Sequence, residues 1–165
     1  PVLYVHGNHD ASYQYIPPEG CECIEDTVVN IKGLRIAGLG GSVRYRPGPH
    51  QYTQKQMEKR ARHLTGQIRR AGGVDILVTH APPRGLGDTE DLPHQGFDAF
   101  LGLMDQYAPR YMLHGHVHLN YGAQMERVRH YGSTTIVNAF ERQVVELEPA
   151  PEPERRRWFF FRRAY

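Results

Sequence analysis

The sequence VLYVHGNHD (residues 2–10) decides the fold prediction, because an apolar strand pattern runs directly into a turn rich in polar side chains. The same arrangement recurs in ILVTH (residues 76–80) and in YMLHGHVH (residues 111–118). In open α/β sheets, ligands bind in the crevice beyond the carboxyl ends of the strands. We therefore predict that these three segments bring their histidines to one edge of a sheet.

The side chains at these strand ends suit a divalent transition metal. Imidazole nitrogen binds Zn, Mn, Fe, Ni or Cu, and the amide of Asn8 adds a neutral oxygen donor. His116 and His118 are two residues apart, so in an extended segment both would point to one side and could hold one ion or two. A single histidine among ten is usually an ordinary polar residue, but three histidine-bearing strand ends favour a site.

Strand and helix patterns alternate along the chain. Residues 27–31 and 34–37 predict a hairpin around Lys32-Gly33. A helix is predicted over residues 51–70, with Thr53 and Gln56 at capping-box spacing, and a second one before Pro109. Other strands are predicted at residues 74–79, 111–114, 134–137 and 143–147. This alternation predicts an α/β fold, and the hairpin makes the sheet mixed.

Length and composition point to one ordinary globular domain. The chain has 165 residues and a hydrophobic content of 39%, which excludes a wholly disordered protein. Its apolar runs are shorter than the roughly 20 residues of a membrane-spanning helix. Two cysteines, Cys21 and Cys23, are too few for a disulfide scaffold, so we expect a cytoplasmic protein.

Charge is distributed unevenly along the chain. The net charge is +2, yet residues 1–153 hold 15 basic and 17 acidic side chains, because residues 154–165 contain five arginines against one glutamate. We predict a domain over residues 1–148, followed by a Pro/Glu linker and an Arg/aromatic tail over residues 149–165. This tail could contact nucleic acid or an anionic membrane, although a packed or disordered terminus is the simpler interpretation.

The three histidine-bearing segments resemble a known family. Gly7-Asn8-His9-Asp10, Val78-Thr79-His80 and Gly115-His116-Val117-His118 are similar to the last three of the five sequence blocks of calcineurin-like metallophosphoesterases. Residues 38–42, 94–97 and 138–140 also resemble bacterial members. The resemblance implies a four-layer α/β sandwich with mixed sheets that holds two divalent ions, Mn, Fe or Zn, and hydrolyses phosphate mono- or diesters.

The resemblance also implies roles for individual residues. Asn8, His80 and His116 would ligate one ion, and His118 would ligate the other. His9 would stabilise the transition state or protonate the leaving oxygen, and Asp10 would orient His9. Two adjacent ions can activate a hydroxide and stabilise both the attacking and the leaving oxygen of a phosphoester.

The first two blocks of the family, an Asp-x-His and a Gly-Asp pair, do not occur in this chain. We therefore expect a domain that lacks its N-terminal βαβ portion, binds one ion or none, and hydrolyses phosphoesters poorly. The uncovered sheet predicts self-association, or complementation by the missing N-terminal segment. Asp88 and Asp91 could approach the site, but aspartate more often shapes turns.

A function of another class remains open at this point. The chain could be a catalytically inactive metal- or anion-binding module, associated with nucleic acid through its basic aromatic tail. The helix predicted over residues 51–70 could contact a phosphate backbone or simply face solvent. Its basic side chains are Lys55, Lys59, Arg60, Arg62, Arg69 and Arg70.

Overall fold

A computed structural model describes residues 1–119 and 126–147. The strands are β1 (Val2–Tyr4), β2 (Cys21–Cys23), β3 (Val28–Ile31), β4 (Leu34–Leu39), β5 (Ser42–Val43), β6 (Gln51–Tyr52), β7 (Ile76–Thr79), β8 (Tyr111–His114), β9 (Val128–Tyr131) and β10 (Thr134–Asn138). The helices are α1 (Gln54–Arg70) and α2 (Asp98–Tyr107), with short 3-10 helices at Ala11–Gln14 and Leu92–His94.

The main sheet has six strands in the order β3-β4-β7-β8-β10-β9. Its four central strands are parallel, and β3 and β9 pair antiparallel at the two edges. The predicted α/β fold with a mixed sheet is therefore confirmed. The hairpin of β3 and β4 turns at Lys32 and Gly33, which have φ values of 51° and 86°. A positive φ favours glycine, which accounts for Gly33 at the second position of the turn.

Two short parallel pairs accompany the main sheet. In the first, β1 pairs with β2 so that Tyr4 lies opposite Cys23. In the second, β5 pairs with β6. The loop after β1 is linked to the end of β4 in the main sheet, since the Gly41 N–H donates to the His6 carbonyl at 2.7 Å.

The core lies between the main sheet and the two helices. α1 begins at the predicted capping box, in which the Thr53 hydroxyl accepts the Gln56 N–H and the Gln56 side chain accepts the Thr53 N–H. The helix buries one apolar stripe against the sheet, namely Met57, Ala61, Leu64 and Ile68. α2 contributes Phe100, Leu103 and Met104 and ends at Ala108, before Pro109 as predicted.

Some predicted elements differ from the observed ones. Gln51 and Tyr52 belong to β6 rather than to the helix, because they pair with β5. The strand predicted over residues 143–147 is wrong: this segment has no regular structure, and Val144 is 76% exposed and contributes no packing. The unpredicted strand β9 takes the edge position beside β10 instead.

The domain boundary at residue 148 stays a prediction, because the tail over residues 149–165 lies outside the described residues. Among the described residues, neither helix has the length and apolar character needed to cross a membrane.

Candidate metal centre

The loops that follow β1, β7 and β8 converge on one point. The Oδ1 atom of Asn8 lies 3.0 Å from Nε2 of His80, and the same nitrogen lies 3.0 Å from Nδ1 of His116. Asn8 and His80 are 72 positions apart in the sequence, and His80 and His116 are 36 positions apart. The structure thus brings together the three side chains that the strand-end pattern predicted would meet.

Backbone contacts hold the three loops in place. β7 and β8 are neighbours in the sheet, and the Gly115 N–H donates to the carbonyl of His80 at 3.0 Å. Gly7 allows the loop after β1 to approach, because a Cβ atom at this position would lie 2.7 Å from Cε1 of His80. A side chain at residue 7 would therefore displace the His80 ring.

The orientation of His116 is set by its second ring nitrogen. Nε2 donates to the carbonyl of Pro93 at 2.7 Å, which leaves the lone pair of Nδ1 directed toward His80. Histidines that bind metals commonly donate their other N–H to a backbone carbonyl in this way. The backbone of His116 has a φ of 65°, so this segment is bent rather than extended as predicted.

The donor set fits a divalent cation. One proton on His80 Nε2 cannot donate fully to both Asn8 Oδ1 and His116 Nδ1, whereas a cation would attract all three atoms. Donors bound to one ion at about 2.0–2.2 Å and about 90° from each other, as in octahedral coordination, are separated by about 3 Å, the distance found for these two pairs. Burial lowers the pKa of His80 to about 3, aided by the nearby His116, and burial also lowers the pKa of His116. Both rings are therefore neutral at pH 7, the state that binds metals.

The remaining predicted residues line the same cavity, of about 340 Å³, with one exception. His9 is exposed at its surface, and His118 lies in it with its ring stacked on Phe140 at 4.3 Å. Asp10 is the exception, since its carboxylate accepts the Gly7 N–H at 2.6 Å and stabilises the turn. The role of Asp10 in orienting His9 stays a prediction.

Two residues with polar side chains in the cavity, His94 and Tyr45, were not predicted from the sequence. His94 lies with its ring centre 5.1 Å from that of His116, and its Nδ1 is 2.5 Å from the carboxylate of Asp91. The Tyr45 hydroxyl accepts from Nδ2 of Asn8 at 3.3 Å and so directs the amide oxygen toward His80. For His94, the resemblance of residues 94–97 to bacterial family members was the one signal in the sequence. For Tyr45, no local sequence pattern indicates a position in the cavity.

The aspartates of the loop before α2 have different roles. Asp88 accepts backbone N–H groups of Gly85 and Gly96 at 2.8 and 2.9 Å, so it shapes the loop. Asp91 approaches the cavity only through His94. Among the described residues that line the cavity, none is a carboxylate.

Comparison with known proteins decides the family. The sequence model described as calcineurin-like phosphoesterase matches residues 1–120. This chain belongs to the calcineurin-like phosphoesterase family. Such phosphoesterases are metal-dependent hydrolases of phosphoesters that use divalent ions, which agrees with the neutral imidazole and amide donors found here.

Curated relatives also match this chain. The chain is 29% identical over 122 residues to human metallophosphoesterase domain-containing protein 1. This match covers 72% of the present chain but only 34% of the human protein. It is 28% identical to an uncharacterized protein of Haemophilus influenzae. This second match covers 73% of the present chain and 63% of the Haemophilus protein. The chain therefore spans from one third to under two thirds of these relatives.

Two solved structures share the phosphoesterase fold of this chain. The protein TT1561 of Thermus thermophilus superposes with a TM-score of 0.53 at 19% identity, over 85% of this chain and 63% of the other. A second crystal structure superposes with a TM-score of 0.59 at 18% identity, over 84% of this chain and 57% of the other.

Proposed function

We propose that this chain supplies the imidazole-rich part of a phosphoesterase site that hydrolyses phosphodiesters or phosphomonoesters, with phosphodiesters preferred over protein phosphates. The observation that carries the proposal is the convergence of Asn8 Oδ1, His80 Nε2 and His116 Nδ1 within 3.0 Å contacts. Mn, Fe and Zn are the ions expected for such a donor set. The free thiols of Cys21 and Cys23 support a cytoplasmic location.

Each side chain of the cavity has a role in this proposal. Asn8, His80 and His116 hold one ion, and His118 binds a second one. Divalent ions, when bound, supply an activated hydroxide and neutralise the charge of the phosphoryl oxygens. His9, exposed at the cavity surface, donates a proton to the leaving oxygen.

His94 adds a group to which the family resemblance assigned no role. The Asp91 carboxylate contacts its Nδ1, which favours a proton on that nitrogen and fixes the ring. The ring lies in the same cavity as His9 and His116. We assign it to binding the phosphoryl group of the substrate.

Charge limits what this chain does by itself. The described cavity lining has only neutral donors, so the two positive charges of an ion are not offset by a carboxylate. We propose that the chain binds one ion weakly and turns over slowly. Carboxylates from another segment, or from a second copy of the chain, would complete the two-ion site.

The same lack of a carboxylate in the described lining favours a second candidate function. In this alternative the chain is a catalytically inactive module that binds a metal ion or an anion. The basic aromatic tail proposed to contact nucleic acid lies outside the described residues, so the alternative rests on the cavity alone.

Manganese binding and hydrolysis of bis(p-nitrophenyl) phosphate test these proposals together. We expect His80→Ala and His116→Ala to abolish both the binding of Mn²⁺, followed by electron paramagnetic resonance, and the residual hydrolysis. His94→Ala should keep the metal and lower turnover by about 100-fold, because a hydrogen-bond donor to the phosphoryl oxygens is lost. His63→Ala, on the exposed face of α1, is the matched control and should change neither.

The outcomes separate the two functions. Binding of Mn²⁺ that depends on His80, without any hydrolysis, supports the binding module. If Mn²⁺ binds equally well to the wild type and to His80→Ala, the metal centre is wrong, and both the phosphoesterase and the metal-binding module fail.

A further inference from the structure

A second cluster of metal-binding side chains lies outside the cavity described above. The ligand atoms of His6, Cys23 and Glu25 all lie within 4.8 Å of one another. His6 Nδ1 is 3.6 Å from Oε2 of Glu25 and 3.9 Å from Sγ of Cys23. Neither the predicted site nor the family assignment uses any of these three residues.

The backbone brings these three residues together. Tyr4 and Cys23 are opposite each other in the parallel pair of β1 and β2, and the Ile24 N–H donates to the Tyr4 carbonyl at 3.0 Å. His6 follows β1, and Glu25 follows β2. The cluster therefore depends on the pairing of the two strands rather than on flexible surface side chains.

The Glu25 carboxylate is held with one oxygen toward His6. Its Oε1 atom accepts the Gly40 N–H at 3.1 Å and contacts the Arg60 guanidinium. Its Oε2 atom accepts the backbone N–H of His6 at 3.2 Å and has a further lone pair directed to the imidazole. Arg60 contacts the Oε1 atom of Glu25. It therefore positions the carboxylate and leaves the Oε2 atom facing His6.

The imidazole of His6 is buried but poorly satisfied. The residue is 8% exposed, its ring is stacked on His50 at 4.3 Å, and its Nε2 is buried without a hydrogen-bond partner among the described residues. The 3.6 Å from Nδ1 to Oε2 of Glu25 exceeds the 2.7–3.2 Å of an N–H···O hydrogen bond, and the 3.9 Å from Nδ1 to Sγ of Cys23 is that of a long hydrogen bond to sulfur. They fall close to the separations of about 3.3–3.8 Å between donors around a tetrahedral zinc ion.

We propose that His6 Nδ1, Cys23 Sγ and Glu25 Oε2 form a binding site for a zinc-like ion, with solvent as the fourth ligand. Cys23 is exposed, so the ion and a water molecule can enter from its side. A thiolate and a carboxylate offset the charge of the ion, which the neutral donors of the cavity do not do. The soft thiolate selects zinc over manganese or magnesium.

The position of this site gives the ion a structural role. The His6 carbonyl accepts the Gly41 N–H at 2.7 Å, and Asn8 lies only two residues further along the chain. An ion at His6 would therefore link β1 to β2 beside the loop that carries Asn8. The proposal goes beyond the phosphoesterase function and does not depend on it.

Cobalt substitution tests the site, since Co²⁺ bound to a thiolate gives a charge-transfer band in the near ultraviolet that imidazole and amide ligands do not give. The titration uses the full 165-residue chain under reducing conditions. We expect the band in the wild type and in Cys21→Ser, the matched control two residues away on β2, and its loss in Cys23→Ser. His80→Ala should keep the band, so a failure of the phosphoesterase proposal would be seen separately.

Zinc affinity gives a second readout. Competition with a chromophoric chelator should show affinity lowered more than about 100-fold in Cys23→Ser, because loss of even an outer partner of a ligand costs about 10–100-fold. Glu25→Gln should weaken zinc as well. A wild type without the band, a band that depends on Cys21, or zinc affinity equal in the wild type and Cys23→Ser would overturn the proposal. Circular dichroism confirms that each variant is folded.

Discussion

At the scale of single residues, His80 combines burial with two polar contacts. Its ring is surrounded by other histidines, and burial together with the neighbouring His116 lowers its pKa to about 3. His114, at the end of β8, is also buried, and burial lowers its pKa to about 4. Both rings are thus kept neutral by the folded state, which makes folding sensitive to acid.

We expect the metal-free chain to lose stability as the pH falls from 7 to 5. The unfolded chain binds a proton at each of these histidines below a pH of about 6.5, while the folded chain does so only near pH 3 to 4. The unfolded state therefore binds more protons in this window, and the free energy of unfolding decreases with decreasing pH. Thermal melts in the presence of a chelator measure this decrease.

His80→Gln isolates the contribution of one ring. Glutamine does not titrate, so the melting temperature of this variant should depend less on pH than that of the wild type. His63→Gln, on the exposed face of α1, should leave the pH dependence unchanged. An unchanged slope in His80→Gln would show that the ring is not buried in its neutral form.

At the scale of secondary-structure elements, Arg60 attaches α1 to the segment that follows β2. Its guanidinium contacts Glu25 and donates to Asp26 at 2.9 Å, and it lies over the Tyr52 ring at 4.3 Å. The side chain is only 12% exposed. The other basic residues of α1 are exposed to solvent. Arg60 is not part of that exposed basic face.

Arg60→Ala should lower the free energy of unfolding by about 3 kcal/mol, because removing one partner of a buried ion pair leaves the other charge without compensation. Lys59→Ala is the matched control on the same helix, and as an exposed substitution it should stay within about 0.5 kcal/mol of the wild type. Urea denaturation with a chelator present compares the two. Equal stabilities of the two variants would contradict the structural role of Arg60.

At the scale of the whole molecule, the pair of β1 and β2 and the segment between them leave apolar side chains exposed. A sheet of two strands is marginally stable by itself. Val2 is 59% exposed, and Ile16, in the segment between the two strands, is 74% exposed. The self-association expected from the sequence stays a proposal, and this region is the surface that we propose for it.

Sedimentation velocity from micromolar to millimolar concentration tests this proposal. We expect a concentration-dependent increase in sedimentation coefficient, and a smaller one in Ile16→Asp. Val144→Asp is the control, since Val144 is equally exposed but lies in the segment after β10. A monomer at every concentration would count against the proposal, and an equal effect of both variants would point to nonspecific aggregation.

The sequence determined the parts of this protein that depend on local patterns. Apolar strands that lead into His80 and His116 predicted two parallel strands whose carboxyl ends meet at one edge, because strand direction alone sets that edge. The single sheet expected for all three segments is wrong, since β1, which leads to Asn8, pairs with β2 in a separate sheet. The Thr53 capping box and the hairpin turn at Lys32-Gly33 were predictable for the same reason, since each forms within a few residues.

Only the tertiary structure decided the rest. The Pro93 carbonyl on His116 and the cluster around His6 join segments whose sequences carry no mutual signal. The incorrect prediction of a strand over residues 143–147 has the same origin. An apolar segment forms a strand only where a neighbouring strand offers unpaired backbone N–H and C=O groups. Packing between distant segments supplies such partners, and no local pattern records them.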